Sequence, residues 1–306
     1  MKLLAAAALV LSLTGGTTSA PTLAGCPVFP ASNPWNRTVD KLPVAANSAQ
    51  LIASMGVGGT VHADFGSGLY NGSRIGIPYV VVHGTSTPKS RVRFDYADES
   101  DKGPYPIPAN VAVEGAPQHA DQGDRHVLIV DRDACRLYEL SGMSRHDGQW
   151  SGWSGAIWNL HSNALRPAGW TSADAAGLPI LPGLARWDGD AATGAIRHAL
   201  RFTAERTRRA YIYPARHYAS SLTDPALPPM GLRVRLKARV NIATLPPQAR
   251  IVAQAMKTYG LILADNGSNW YVGGAPSPRW SNDQLHTLGR LTGADFEVVD
   301  TSRLRP

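Results

Sequence analysis

Cysteine is nearly missing from this chain: 306 residues carry two, Cys26 and Cys135. Two thiols do not build a structural zinc site of the four-ligand kind. Beyond the extreme N-terminus no stretch approaches the ~20 consecutive apolar residues that a bilayer-spanning helix needs. No segment repeats with a period of about 20–50 residues, which excludes solenoids and propellers. Several reaction signatures are missing as well. There is no GxSxG nucleophile elbow, no HExxH and no EF-hand loop, and "GVGGT" at 56–60 lacks the Lys-Ser/Thr of a phosphate-binding loop.

The N-terminus is better marked. Lys2 precedes the apolar run "LLAAAALVLSL", and the small, polar stretch "TGGTTSAPTLAG" follows. That order reads as an export signal over residues 1–24, leaving residues 25–306 as one secreted or periplasmic domain. Export places both cysteines in an oxidising compartment, where an even count suggests a Cys26–Cys135 disulfide. A rival use exists for Cys26. "LAGC" has the form of a lipobox, in which that cysteine becomes a lipid anchor.

Lys and Arg outnumber Asp and Glu by 30 to 23, for a formal net charge of +7. A basic surface favours anionic partners such as acidic polysaccharide or cell-wall polymer. In "RTRRAYIYPAR" bases and aromatics mix, as on nucleic-acid surfaces, but export sets nucleic acid aside and an amphipathic strand explains the pattern.

Gly (30) and Pro (23) are spread evenly, which suits short strands joined by turns. "IPYVVVHG" reads as a central strand covered on both faces, and "SRVRFDYAD" alternates as a half-buried one. "RHVLIVDRDACRLYEL" reads as a hairpin with strands at 126–131 and 135–140. "GAIRHALRFT" puts Ile196, His198, Leu200 and Phe202 on one face and Arg197 and Arg201 on the other. "RRAYIYPA" and "LRVRLKARVNI" read as further strands, the second alternating arginines with apolar residues. "LPPQARIVAQAMKTYG" is the clearest helix and "SNDQLHTLGRL" a second, with "NSAQLIASMG" a short early one. Between the first two, "GLILADNGSNWYVGG" reads as a hairpin around Asn266-Gly267. Strands without βαβ alternation predict a β-rich fold, mainly β or α+β. Sandwich or jelly-roll-like antiparallel sheets would carry a few peripheral, mostly C-terminal helices.

Candidate chemistry rests on inward polar residues. His126 and His198 each have apolar neighbours two positions away, so both imidazoles point inward and need partners. They are expected on neighbouring strands, sharing one site with a carboxylate, and Asp174 and Asp265, each at the end of an element, are the candidate acids. The same residues also fit turn, cap and core roles. The Asp and Glu of "DYADESDKG" read as a solvated acidic turn. A divalent metal at His62 and Asp64, or at the His and Asp of "QHADQGDRH", has no recognised ligand spacing behind it, and no cofactor is expected.

Five tryptophans, Trp150, Trp153, Trp158, Trp170 and Trp187, fall close together. Flat rings with polar edges suit sugar faces. The stretch Trp158 to Gly183 reads as a long ordered loop over the sheet, lining the main cleft. Trp158, Asn159, His161, Arg166 and Trp170 are its candidate substrate-binding residues, with His217 in "PARHYASS" beside a strand end.

"CPVFPASNPWN", "SNALRPAGWTSADAAGLPILPG", "PARHYASS" and "LADNGSNW" resemble segments of an uncharacterised family of secreted bacterial proteins. The resemblance covers nearly the whole mature chain. It implies export and a single domain, and it carries over no catalytic residue. The expected function is a secreted, glycan-active protein, a polysaccharide hydrolase or lyase. The alternatives are a non-catalytic carbohydrate- or wall-binding protein and a structural envelope protein.

Overall fold

A computed structural model describes residues 20–304. Most of the export-signal segment lies outside the described residues. The fold is β-rich with few helices, as composition and turn spacing predict. In chain order its principal elements are α1 (Ser48–Ser54), β1 (His62–Asp64), β2 (Tyr79–Val82), β3 (Val127–Asp131), β4 (Arg136–Ser141), β5 (Ser154–Asn159), β6 (Leu200–Ala204), β7 (Arg233–Leu236), α2 (Pro247–Thr258), β8 (Leu261–Asn266), β9 (Tyr271–Gly273), α3 (Asn282–His286) and β10 (Phe296–Val298).

Two sheets organise them. One has the order β5-β4-β3-β2, the other β10-β7-β8-β6-β9-β1. A three-stranded sheet of Ser144–His146, Gln149–Gly152 and Val92–Phe94 flanks them. The hairpin β3–β4 forms as its Asp/Arg-rich turn predicts, in antiparallel register from Val127↔Leu140 to Asp131↔Arg136.

Other pairings differ from expectation, because they depend on partners distant in sequence. The sheets are mixed: β2 runs parallel to β3, β6 to β8, and β9 to β1. The apolar run of β2 is an edge strand, with Val81 40% exposed. The segments β8 and β9 make no hairpin, because β6 lies between them. "RRAYIYPA" contributes one isolated bridge, Tyr211↔Met230, in place of a strand. In β7 the arginines do not all face outward. Arg233 is buried and donates to the carbonyls of Pro34, Arg37 and Tyr259, which satisfies a guanidinium that burial would otherwise penalise.

The apolar face of the six-stranded sheet packs Leu200, Phe202, Leu263 and Trp270 against Val252, Ala253 and Met256 of α2. Pro247 opens that helix, where a missing N–H costs nothing. Ser281 caps α3 by accepting from the Gln284 N–H.

The stretch Trp158 to Gly183 does not lie over a sheet. It threads between the two, largely without regular structure. Leu160, Ala173, Ile180 and Leu181 pack against Leu128, Leu137 and Trp158 of the four-stranded sheet. Ala176 and Leu178 belong to the core of the other. Glu139 on β4, fully buried, accepts from the N–H groups of Ile180 and Leu181 at 2.8–3.0 Å. On the far side, Ala176 donates to the Ala264 carbonyl of β8 at 2.9 Å. This strap gives the backbone of a buried irregular segment its hydrogen-bond partners.

Cys26 and Cys135 are joined by a disulfide across 109 positions. The bond uses the sulfur that lipidation of Cys26 would need, so the lipid-anchor alternative does not hold. It also pins a small hairpin in which Thr22–Leu23 pairs with Cys26–Pro27 and buries Leu23. The domain boundary expected after Ala24 therefore falls inside a folded hairpin. Among the described residues no helix is long and apolar enough to cross a membrane.

Candidate functional site

The polar face of the six-stranded sheet carries the site. Strand register pairs Tyr271 with His62, Gly273 with Asp64, and Phe202 with Val272. Side chains alternate along a strand, so Arg201 and Thr203 share the face of His62, Asp64 and Tyr271, while Phe202 turns to the α2 core. Gly273 makes room for this. A Cβ there would meet Arg201 Cγ at 3.0 Å.

Asp265 reaches the same face through an irregularity. The β6–β8 register shifts between Phe202 and Thr203, so that Thr203 pairs with Asp265. In unbroken register Thr203 would oppose Ala264, and Asp265 would point the other way. Bulges re-aim side chains in this manner. The strap holds the shift in place through the Ala176–Ala264 hydrogen bond.

From the strap comes Asp174. Its carboxylate takes a bidentate pair from Arg201, Nε at 3.0 Å and Nη2 at 2.7 Å. Arg201 Nη2 also lies 3.7 Å from Asp265 Oδ2. Asp174 is wholly buried, and the Asp265 side chain is 21% exposed. No helix follows Asp174. Ser172 Oγ accepts from the Asp174 N–H at 3.0 Å in a local turn, so helix capping is not what holds this acid.

The third contribution comes from the end of β3. His126 is buried, and both ring nitrogens face acceptors: Nδ1 donates to Glu114 Oε2 at 2.6 Å and Nε2 to the Ala173 carbonyl at 2.9 Å. A ring donating from both nitrogens is an imidazolium. Burial alone would lower its pKa, but the Glu114 carboxylate, its hydrogen bond and Asp124 outweigh that and raise it to about 9. Burial would likewise raise Glu114, yet the His126 charge and hydrogen bonds hold it below its ordinary value.

Asp265 moves the opposite way. Burial and the adjacent Asp174 carboxylate push it well above the usual carboxylate range, against the pull of Arg201. Asp64, on β1, is also raised, chiefly by burial, with His62 and Arg201 opposing. Beneath the cluster, burial pushes Glu139 up to about 7 despite its two backbone N–H partners, and Asp174 adds to the rise. The result is one centre in which Arg201 meets Asp174 and Asp265, with Glu114–His126 and Asp64 within reach of its charge. Its carboxyl groups are shifted in opposite directions, Asp265 and Asp64 up and Glu114 down, a pattern from which acid–base roles are assigned.

Of the residues singled out from sequence, His126, Asp174 and Asp265 are brought together here. His198 is not. It precedes β6, in the sheet that does not contain β3, and donates to Asp190 at 3.1 Å and the Ala199 carbonyl at 2.7 Å. Asp190 in turn pairs with buried Arg186 at 2.8 Å. This separate network orders the core and leaves neither imidazole nitrogen free.

The aromatic loop residues are placed elsewhere too. Trp158 is buried, with Phe29 edge-on at 6.4 Å. Arg166 stacks over Trp158 and Trp170, at 5.7 and 5.4 Å, and pairs with Asp101 at 2.7 Å. Asp101 and Glu99, read as a solvated turn, thus hold the strap: Glu99 accepts from the Thr171 N–H at 2.9 Å. Asn159 caps the N–H of exposed His161. These five residues make none of the contacts that build the acid centre. His217 lies nearer. Its Nδ1 donates to the Ala175 carbonyl at 2.8 Å, and two residues on, the Ala219 carbonyl accepts from Asn266, the neighbour of Asp265.

The strap therefore does not line the main cleft through its tryptophans. A cavity of about 540 Å³ opens beside Asp64, His62 and Tyr271, and a wider one of about 670 Å³ lies by Arg74, Tyr79 and Asp188. Among the described residues no group of three or more His, Cys, Asp or Glu is arranged to hold a metal ion. His62 stacks on Tyr271 at 4.2 Å, and His119 Nε2 bonds the Asn71 carbonyl.

Sequence reasoning missed Arg201 and Glu114, and considered Asp64 only as a metal ligand beside His62. A signal existed for Arg201, a lone cation inside the apolar run of β6. Compared with protein-family models, with curated proteins and with solved structures, the chain matches none.

Proposed function

We propose that the chain is a secreted glycan hydrolase whose proton chemistry is centred on Asp265. One observation carries this reading. A partly exposed carboxyl, raised well above its ordinary pKa, lies beside a buried Asp174–Arg201 pair, and a second carboxyl, Glu114, that His126 keeps ionised feels the charge of the same Arg201.

In this mechanism Asp265, whose carboxyl burial and the Asp174 charge hold well above the usual range, gives its proton to the glycosidic oxygen as the C–O bond breaks. The electron pair leaves with that oxygen. Glu114 offsets the positive charge that develops at the anomeric carbon, and water adds to that carbon and gives its proton to the Asp265 carboxylate, which restores the acid. Two carboxyl groups in opposite protonation states are the common requirement of glycoside hydrolysis. Asp174 is too buried to touch a sugar; it and Arg201 are positioning residues. His126 is one also, since both its nitrogens are occupied.

The test is to incubate the protein with a panel of polysaccharides and wall fractions and to measure new reducing ends, with Asp265→Asn alongside. The expected result is release by the wild type and a loss of about 10²–10⁴-fold in the variant, the range for a general acid. Bound glycan without any release would favour a binding protein. Equal rates in the two proteins would overturn the role of Asp265.

A further inference from the structure

We infer that the cavity beside Asp64 is a subsite for an uncharged sugar unit, feeding the acid centre; this rests on the hydrolase reading above. The cavity measures about 540 Å³, within the ~300–1,000 Å³ usual for small-molecule sites. On one side His62 and Tyr271 stack at 4.2 Å, with 29° between their planes, as a two-ring platform. Tyr70, 71% exposed, stands on another part of the wall. Val61 and Phe65 supply apolar surface between polar edges. Aromatic faces with hydrogen-bonding rims are suited to sugar rings.

Asp64 joins the cavity to the centre. It lines the wall, and its carboxyl responds to the charges of Arg201 and Glu114. Register places it opposite Gly273, whose missing side chain leaves Arg201 room on that face.

Charge selects the sugar. No Lys or Arg lines the cavity, and its one carboxyl is Asp64. A uronate or sulfated unit would lose its hydration there beside the Asp64 carboxyl and meet no Lys or Arg on the wall, only the imidazoles of His62 and His286. The chain's net charge of +7 is therefore carried away from this wall, and the anionic glycan suggested by composition is not what the cavity fits.

Isothermal titration of the Asp265→Asn protein tests this with cellohexaose, xylohexaose and mannohexaose as neutral probes and hexagalacturonate as the anionic one. The expected result is binding of at least one neutral hexasaccharide and none of hexagalacturonate. Tyr70→Ala and Tyr271→Ala should each weaken the neutral binding by about tenfold or more. Tyr70 is exposed, so its variant folds even if the Tyr271 variant does not. Binding of hexagalacturonate as tightly as the neutral probes, no neutral binding at all, or neutral binding untouched in Tyr70→Ala would overturn the subsite. The two readings fail separately. Neutral binding lost in Tyr70→Ala without any reducing-end release by the wild type would sink the hydrolase and keep the subsite. Release with unchanged KM in Tyr70→Ala would do the reverse.

Discussion

Glu114 and His126 are joined three times: the imidazole Nδ1 lies 2.6 Å from Glu114 Oε2, the His126 N–H donates to the same oxygen at 3.3 Å, and the Glu114 N–H donates to the His126 carbonyl at 3.0 Å. The far nitrogen is fixed by Ala173, the residue before Asp174. A charge on one sheet is thereby tied to the strap that carries the buried acid, and stability becomes sensitive to pH.

The sign follows from the direction of the shift. His126 is raised from 6.5 to about 9 in the folded chain, so its stabilisation is complete below pH 6.5 and is lost as pH rises toward 9. The loss is on the order of 3 kcal/mol. Glu139, pushed up to about 7, opposes folding as it ionises, so it also lowers stability with rising pH, in the window below that of His126. Urea unfolding across the alkaline window should show the decline in the wild type and a flatter profile in His126→Gln. The same slope in both would remove His126 as its source.

Arg201 serves several acids at once. Arg201→Met should cost about 3–5 kcal/mol, because Asp174 would remain buried without its partner. Adding Asp174→Asn to that variant should restore part of the loss, since no uncompensated charge then stays inside. A double-mutant cycle by urea melts gives the coupling; a double variant less stable than additivity allows would contradict the pairing.

Asp174 raises the pKa of Asp265 by its charge. Asp174→Asn should therefore lower it, and the alkaline limb of the rate profile, where Asp265 loses its proton, should move to lower pH. The shift is read from kcat/KM against pH, and an unmoved limb would detach the two acids.

The disulfide closes a loop of 109 positions. Replacing both cysteines by serine should cost about 4–5 kcal/mol in the loop-entropy view, with the hairpin that buries Leu23 detaching first. Chemical denaturation of the double variant provides the comparison. A change under about 1 kcal/mol would mean that the hairpin is held by packing alone.

Local patterns were legible where the structure is local. Apolar runs and turn residues define β3–β4, and apolar spacing with Pro247 defines α2. The pairing of β6 with β8 was not legible, because it joins strands about 60 residues apart with β7 and α2 between them. Nor was the inward turn of Asp265, which a register shift produces. His126 was recognisable by its apolar neighbours. The same argument misplaced His198, because periodicity reports which way a side chain points and not which sheet its strand joins. The tryptophans misled for a related reason: a long polar-looking segment reads as surface, but Arg166, Asp101 and Glu99 give the strap its partners indoors.

The strap has a consequence for how the molecule comes into being. Its acid centre draws on Asp64, Glu114, His126, Asp174, Arg201 and Asp265, contributed by both halves of the chain. Severing the chain anywhere between His126 and Arg201 would separate members of that set, and neither fragment would hold a working remnant. Pairings this distant in sequence close late and slowly in folding. On the proposed hydrolase reading, a growing or partly unfolded chain would be chemically silent until the last long-range junction has shut.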